Sequence, residues 1–359
     1  MSSVDTGVLK AVTRNRLFWP ALVLVLLLVT NLFFSRNFFS VTLRDGHLYG
    51  SLIDIMRQSS ALALVALGMT LVIATGGIDL SVGSVMAITG GMACLQISHL
   101  SDQNALGGVL VACGIGLLVA VAVGIWNGLL VSVIGVQPII ATLILLVGGR
   151  GIAQLITDGQ IITVRSSPYH VIGAGYALGL PVCVWIVIFL VGGAILLTRR
   201  SALGVLLESV GGNPSASRLA GIQSRRLIWG VYVVAALAAG VAGLIDSSDV
   251  SSADGNNTGN LIELDAILAV VIGGTALAGG RFSISGSVLG SVIITALDIS
   301  VVTIGVPTNA TLLFKAIVVI VLCLLQSPPF RSRVLSLRRR VRVPGPPGSG
   351  NKSAEEVPA

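Results

Sequence analysis

The sequence predicts an all-α fold: a polytopic membrane protein of about ten transmembrane helices, with both termini in the cytoplasm. Three observations predict it. Of its 359 residues, 54% are hydrophobic and 10% charged, and mean hydropathy is +0.96. Soluble domains carry about a quarter charged residues, so this chain has too little charge to coat a globular surface. Apolar runs of about 20 residues, the length that crosses a bilayer, recur along it. Lysine and arginine gather in alternate connections, as they do where cytoplasmic loops hold the positive charge.

The first run, near 18–36, follows Lys10, Arg14 and Arg16 and has the outline of a signal peptide. It is too long for a signal core, and "NLFFSRNFF" offers no small-residue cleavage site. It therefore reads as a retained helix after a cytoplasmic segment, 1–17. Helices two to five fall near 57–76, 82–99, 105–133 and 138–157, the fourth long enough to tilt or to continue past the bilayer. Helices six and seven, near 180–198 and 227–247, flank a basic connection holding Arg199, Arg200, Arg218, Arg225 and Arg226. Helices eight to ten fall near 264–279, 284–305 and 311–327. With ten spans the basic N-terminus, this connection and the tail "RSRVLSLRRRVR" share one side, and polar loops such as "DSSDVSSADGNNTGN" lie opposite. Splitting helix four puts a basic loop outside. The membrane domain thus covers 18–330 and a basic tail 331–359.

From Pro344 the tail has the Pro/Gly/Ser composition of a disordered segment. Its arginines suit anionic membrane lipids, so a pI of 9.7 calls for no nucleic-acid partner. One internal echo stands out: "VIATGGIDLSVGSV" (Val72–Val85) and "VIGGTALAGGRFSISGSV" (Val271–Val288) each end an apolar run in paired glycines and restart at Gly-Ser-Val. A true repeat and chance likeness between Gly-rich apolar segments both account for it.

Catalytic signatures are missing. "GGTALAGGRF" (Gly273–Phe282) lacks the Lys-Ser/Thr of a phosphate loop, and "GAGYALG" (Gly173–Gly179) misses the dinucleotide spacing. His47, His99 and His170 fall in separate external loops. Cys94, Cys113, Cys183 and Cys323 are scattered in apolar segments without metal-ligand or disulfide spacing, so they read as small hydrophobes. Neither an enzyme nor a metal or cofactor site is expected.

What remains is polar groups at membrane depth, where function is the default hypothesis. Asp79 lies where helix two meets helix three, Asn127 interrupts helix four, and Arg150 lies in the outer part of helix five. Asp298 and Lys315, in the outer halves of helices nine and ten, come within a few ångströms of one depth at about 1.5 Å per residue. They are expected to pair. Each site also has a structural reading. Asp79 suits the N-cap of helix three, Arg150 and Lys315 can snorkel to headgroups, and Asn127 can bond a neighbouring helix.

In the basic connection, "ALGVLLESVGGNPSASRLAGI" (Ala202–Ile222) predicts a short amphipathic helix broken at Gly211-Gly212. A second short helix follows, capped by Asn213, with Pro214 at its first position. Ala216, Leu219 and Ala220 give it a small apolar face beside Arg218, fit either for headgroups or for a groove on a partner protein.

Five stretches, "GMTLVIATGGIDLSVGSVMA", "WNGLLV", "QPIIATLILLVGGRGIAQLITDGQ", "LESVGGNPSASRLAGI" and "ELDAILAVVIGGTALAGGRF", occur in order between Ser51 and Gln326. Together they resemble the permease subunit of bacterial ABC sugar importers of the ribose/xylose/galactofuranose type. "DGHLYGSLIDIM" and "GRGIAQLIT" are most similar to the galactofuranose branch. The resemblance implies a multi-pass protein of the bacterial inner membrane that works with a cytoplasmic ABC ATPase, a periplasmic sugar-binding protein and a second permease, identical or paralogous. It makes Glu208–Ile222 the segment coupled to the ATPase, with Glu208, Gly211, Asn213, Arg218 and Gly221 as the residues concerned. Candidates for the translocation path or gate are Asp79, Asn127, Arg150, Asp265, Asp298 and Lys315. Asp298 departs from the asparagine common in that family. Two other readings stay open: a branched-chain amino-acid ABC permease with a similar loop ending, and an ion-coupled transporter using Asp79 or Asp298 as its ion site. "GGIDLSVG" and "ELDAI…GGTALAGG" argue for sugar.

Overall fold

The computed structural model describes residues 18–34, 38–44, 46–305, 307, 310, 312–317 and 319–320. The N-terminal segment, the basic tail, Cys323 and the end of the tenth expected helix lie outside them. The chain divides after Lys315; in the second unit the described residues Ala316, Ile317, Val319 and Ile320 are helical. All that follows concerns the first unit.

Its helices run in the expected order. α1 spans Phe18–Phe34, α2 Ser51–Ala74, α3 Val82–Ser98, and α4 Leu106–Leu129, continued by a π-helical turn at Leu130–Ile134. Next come α5 at Pro138–Ile156, a short α6 at Ser167–Ala174, and α7 at Val182–Arg200. α8 at Leu203–Gly212 and α9 at Pro214–Leu219 form the basic connection. α10 follows at Ser224–Asp249, α11 at Ile262–Ile272 and α12 at Ile284–Ile304. Three two-stranded antiparallel ribbons complete the described residues: β1 (Thr42–Arg44) with β2 (His47–Tyr49), β3 (Ile162–Thr163) with β6 (Ser252–Ala253), and β4 (Tyr176–Ala177) with β5 (Leu180–Pro181). Six helices, counting α4 with its π turn as one, are long and apolar enough to cross a membrane, which makes the protein polytopic.

The eighth helix departs from expectation. It was expected over 264–279 but ends at Ile272, and 273–283 is non-helical. Apolar composition made "VVIGGTALAGG" look continuous. Gly274, Gly279 and Gly280, with φ of +83°, +88° and +83°, hold a left-handed backbone that a helix does not contain. The helix before the break is thus only 11 residues, too short to span.

α10 is the hub, packed against α2, α3 and α4. Its small residues meet glycines of those helices: a Cβ added to Gly68 of α2 would stand 2.8 Å from the Ala235 Cα, and one on Gly124 of α4 2.8 Å from the Ala236 Cβ. Close backbone approach of this kind supplies van der Waals packing where lipid removes the hydrophobic drive between helices. α5 and α7 sit outside, mostly unburied.

Candidate functional site

The connection between α7 and α10 is built as two unequal pieces. α8 is anchored: Leu207 and Val210 are buried, and Leu207 packs with Leu67 and Leu71 of α2, Val231 of α10 and Ile284 of α12. Glu208, on its other face, lines a cavity of about 260 Å³ with Arg199 and Phe282. α9 projects. Asn213 caps it as expected, its Oδ1 accepting from Ser215 N at 3.1 Å and Ala216 N at 3.0 Å, with Pro214 at the first helical position. Gly221 closes it with φ +85°. Arg218 is exposed, and Leu219 is 92% exposed, an apolar side chain without cover among the described residues.

Beneath α8 three glycine pairs converge. Gly76-Gly77 follow α2, Gly211-Gly212 end α8, and Gly279-Gly280 precede α12. The Gly280 amide donates to the Ala74 carbonyl at 3.0 Å. A Cβ on Gly211 would overlap the Ala74 oxygen and stand 2.5 Å from Gly280 N, and one on Gly279 would lie 2.8 Å from Gly211 O. Backbone therefore touches backbone, and α8 is clamped to the ends of two helix breaks at once. These breaks are the two echoing segments, each of which adopts helix, break and helix.

Asp79 lies in the break between α2 and α3, 1% exposed. Its Oδ1 accepts from Ser81 N at 2.9 Å and Ser81 Oγ at 2.6 Å, and Asn127 Nδ2 of α4 donates to Ser81 Oγ at 2.8 Å. The aspartate closes an Asx-type turn leading into α3. The helix start itself, Ser81, makes no side-chain cap. Asn127 bonds a neighbouring element, as its structural reading held. Asp79→Ala is expected to lower stability by about 2 kcal/mol through two lost hydrogen bonds to a charged group. Asp79→Asn, which keeps a carbonyl acceptor, should melt close to wild type in detergent.

Arg150 does more than snorkel. Its guanidinium donates to the carbonyls of Thr258 at 2.6 Å, Gly255 at 3.3 Å and Gly259 at 3.4 Å. That loop leaves α10 at Asp249 and dips to α3, where a Cβ on Gly83 would strike the Gly259 oxygen and come within 2.6 Å of Glu263 Oε2. Glu263, unflagged by the sequence, is 6% exposed with Oε2 unpartnered.

Lys315 Nζ lies 3.0 Å from Asp298 Oδ2, the expected pair, and 2.8 Å from Asp265 Oδ2 in the first turn of α11. The site is a triad. Lys315→Gln should therefore impair stability more than Asp298→Asn, since Asp265 still neutralises the lysine in the latter. Thermal melts of the two variants check this. Equal loss would count against the triad.

Four polar residues that the sequence reading did not single out stand at the start of α2 and the end of α10. Arg57 of α2 pairs with Asp249 of α10 at 2.6 Å, beside Gln58 and Asp246.

Helices of membrane length, joined through two glycine-paired breaks that clamp α8 while capped α9 projects beyond it, fit a membrane transport component. The chain belongs to the family described as branched-chain amino acid transport system / permease component, whose model matches residues 51–323. It is 44% identical over 333 residues to the galactofuranose transporter permease protein YtfT of Escherichia coli (strain K12), covering 91% of this chain and 96% of that protein. It is 39% identical to the fructose import permease protein FruF of Bifidobacterium longum (strain NCC 2705), over 92% of this chain and 93% of that one. To the ribose import permease protein RbsC of Escherichia coli (strain K12) the identity is 35%, over 86% and 92%. No solved structure matches the chain.

Proposed function

We propose that the chain is the permease subunit of an ATP-driven ABC importer that moves a monosaccharide across the bacterial inner membrane into the cytoplasm. One observation carries the substrate class: three relatives matched along nearly their whole length are all named for sugars, galactofuranose, fructose and ribose. The family description names branched-chain amino acids, but these relatives outweigh a label that covers the family broadly. The ion-coupled reading loses support because Asp79 is buried against Ser81 and Asp298 is paired with Lys315.

The topology that fits this role has about ten helices and both termini in the cytoplasm. It comprises segment 1–17, a permease domain over 18–330 and a basic tail over 331–359 against anionic lipid. α9 docks in a cleft of a separate ATPase, and ATPase closure reaches the membrane helices as rigid-body movement through α8. Glu208, Gly211, Asn213, Arg218 and Gly221 form that coupling unit. A periplasmic sugar-binding protein delivers substrate, and a second permease completes the path.

Uptake that survives an uncoupler but stops on ATP depletion is the expected result; the reverse would favour ion coupling. In proteoliposomes holding the whole transporter, Arg218→Glu should lower uptake about tenfold, the size of one disrupted interface anchor. ATP hydrolysis should continue. Uptake per ATP equal to wild type would remove Arg218 from the coupling unit.

A further inference from the structure

A cavity of about 390 Å³ opens between the start of α2 and the end of α10, lined by Arg57, Gln58, Asp246 and Asp249 together with Ala61, Gly173 and Ile245. It lies at the ends of these helices away from the coupling segment, because α2 ends and α10 begins beside α8 and α9. Its volume falls within the roughly 300–1,000 Å³ of small-molecule sites. Four of its seven lining residues are charged or carry an amide.

The Arg57–Asp249 pair, 2.6 Å apart, fixes one side of the cavity and uses one nitrogen of the guanidinium. Arg57 Nε stays buried with no hydrogen-bond partner. Gln58 and Asp246 make no side-chain hydrogen bond among the described residues. The cavity thus presents an unused carboxylate acceptor and an amide that both donates and accepts, beside the paired guanidinium of Arg57. Gly173 of α6 sets the far wall against the Asp249 amide and the Ile245 carbonyl, each 2.5 Å from where its Cβ would stand, so that wall cannot carry a side chain.

Each hydroxyl of a sugar donates one hydrogen bond and accepts others, and a mixed set of arginine, carboxylate and amide meets that need. We propose that this cavity is a binding subsite for a polyhydroxylated sugar on the side from which substrate enters. Gln58 and Asp246 supply the direct hydrogen bonds, while Asp249 holds Arg57 in place. The proposal rests on the sugar-permease reading above and extends it to named residues.

The test is protection of a thiol. Ala61→Cys, in a Cys323→Ser background, is reconstituted in vesicles and treated with a membrane-impermeant maleimide. Cys94, Cys113 and Cys183 are buried and should stay silent. D-galactose, D-fructose, D-ribose and L-leucine are tried as protectants. The expected result is that at least one sugar slows labelling and leucine does not. Asp246→Asn and Gln58→Ala should each raise the sugar concentration needed about tenfold, the size of one hydrogen bond involving a charged group. Neither breaks the ion pair, and melting curves confirm that both variants fold. The subsite is overturned if no sugar protects, if leucine protects instead, if the introduced thiol never labels, or if both variants protect as well as the parent. When ATP-driven sugar uptake persists in the same vesicles, any of these results removes the subsite alone. Absence of all ATP-driven sugar uptake removes the parent reading and the subsite with it.

Discussion

Gly211→Ala is expected to abolish coupled uptake, while its neighbour Gly212→Ala leaves it intact. The two glycines are adjacent in one helix end, so propensity alone predicts that alanine helps both slightly. Their surroundings differ. A methyl on Gly212 meets nothing within 4 Å, whereas one on Gly211 meets the Ala74 carbonyl and the Gly280 amide. Both obstacles are backbone, so no rotamer change relieves the overlap. Overpacking a rigid contact costs about 1–3 kcal/mol. Relief can come only by pulling α8 from the end of α2 or breaking the Gly280–Ala74 hydrogen bond. Either disconnects the segment proposed to meet the ATPase from the two helix breaks. The measurements are melting temperature and uptake per ATP hydrolysed. Identical behaviour of the two variants would remove the clamp from any account of coupling.

The difference between those glycines marks what a sequence can carry. The cap at Asn213-Pro214 was legible because its cause lies within four residues: a side-chain oxygen, two free amides and a proline that needs no donor. Gly76-Gly77 and Gly211-Gly212 were legible as breaks for the same local reason, whereas Gly279-Gly280 closed a run that apolar composition made look continuous. Their convergence was not legible, since the contact between Ala74, Gly211 and Gly280 joins positions far apart in the chain and uses only backbone atoms. The Asp298–Lys315 pair could be expected from depth counting alone. Asp265 joins it through a contact 50 residues apart in the chain, which depth counting along two neighbouring helices does not reach. The cavity beside Arg57 was hidden because its polar residues stand at helix ends, where charge is unremarkable.

Arg150 shows the same limit and gives the second large effect. Arg150→Leu should destabilise the protein by about 2–3 kcal/mol, the size of lost hydrogen bonds from a charged, partly buried donor. The partners here are the carbonyls of Gly255, Thr258 and Gly259, in a loop that reaches the start of α3. Buried backbone carbonyls persist only where protein or water satisfies them. Leucine satisfies none of the three, and Glu263 loses the nearby positive charge that helps offset its burial. Arg150→Lys discriminates the two readings of this residue. A snorkelling arginine needs only a charge on a long stem, so lysine would match wild type. A guanidinium spanning three carbonyls uses a planar fork that an ammonium lacks, so lysine should fall between arginine and leucine. Gln154→Ala, which loses an exposed bond to Asn256 in the same loop, serves as the control and should change melting little. If lysine and arginine melt together, the loop is held by something other than the fork. The order arginine, lysine, leucine would place that fork among the contacts that hold the 255–259 loop against the start of α3.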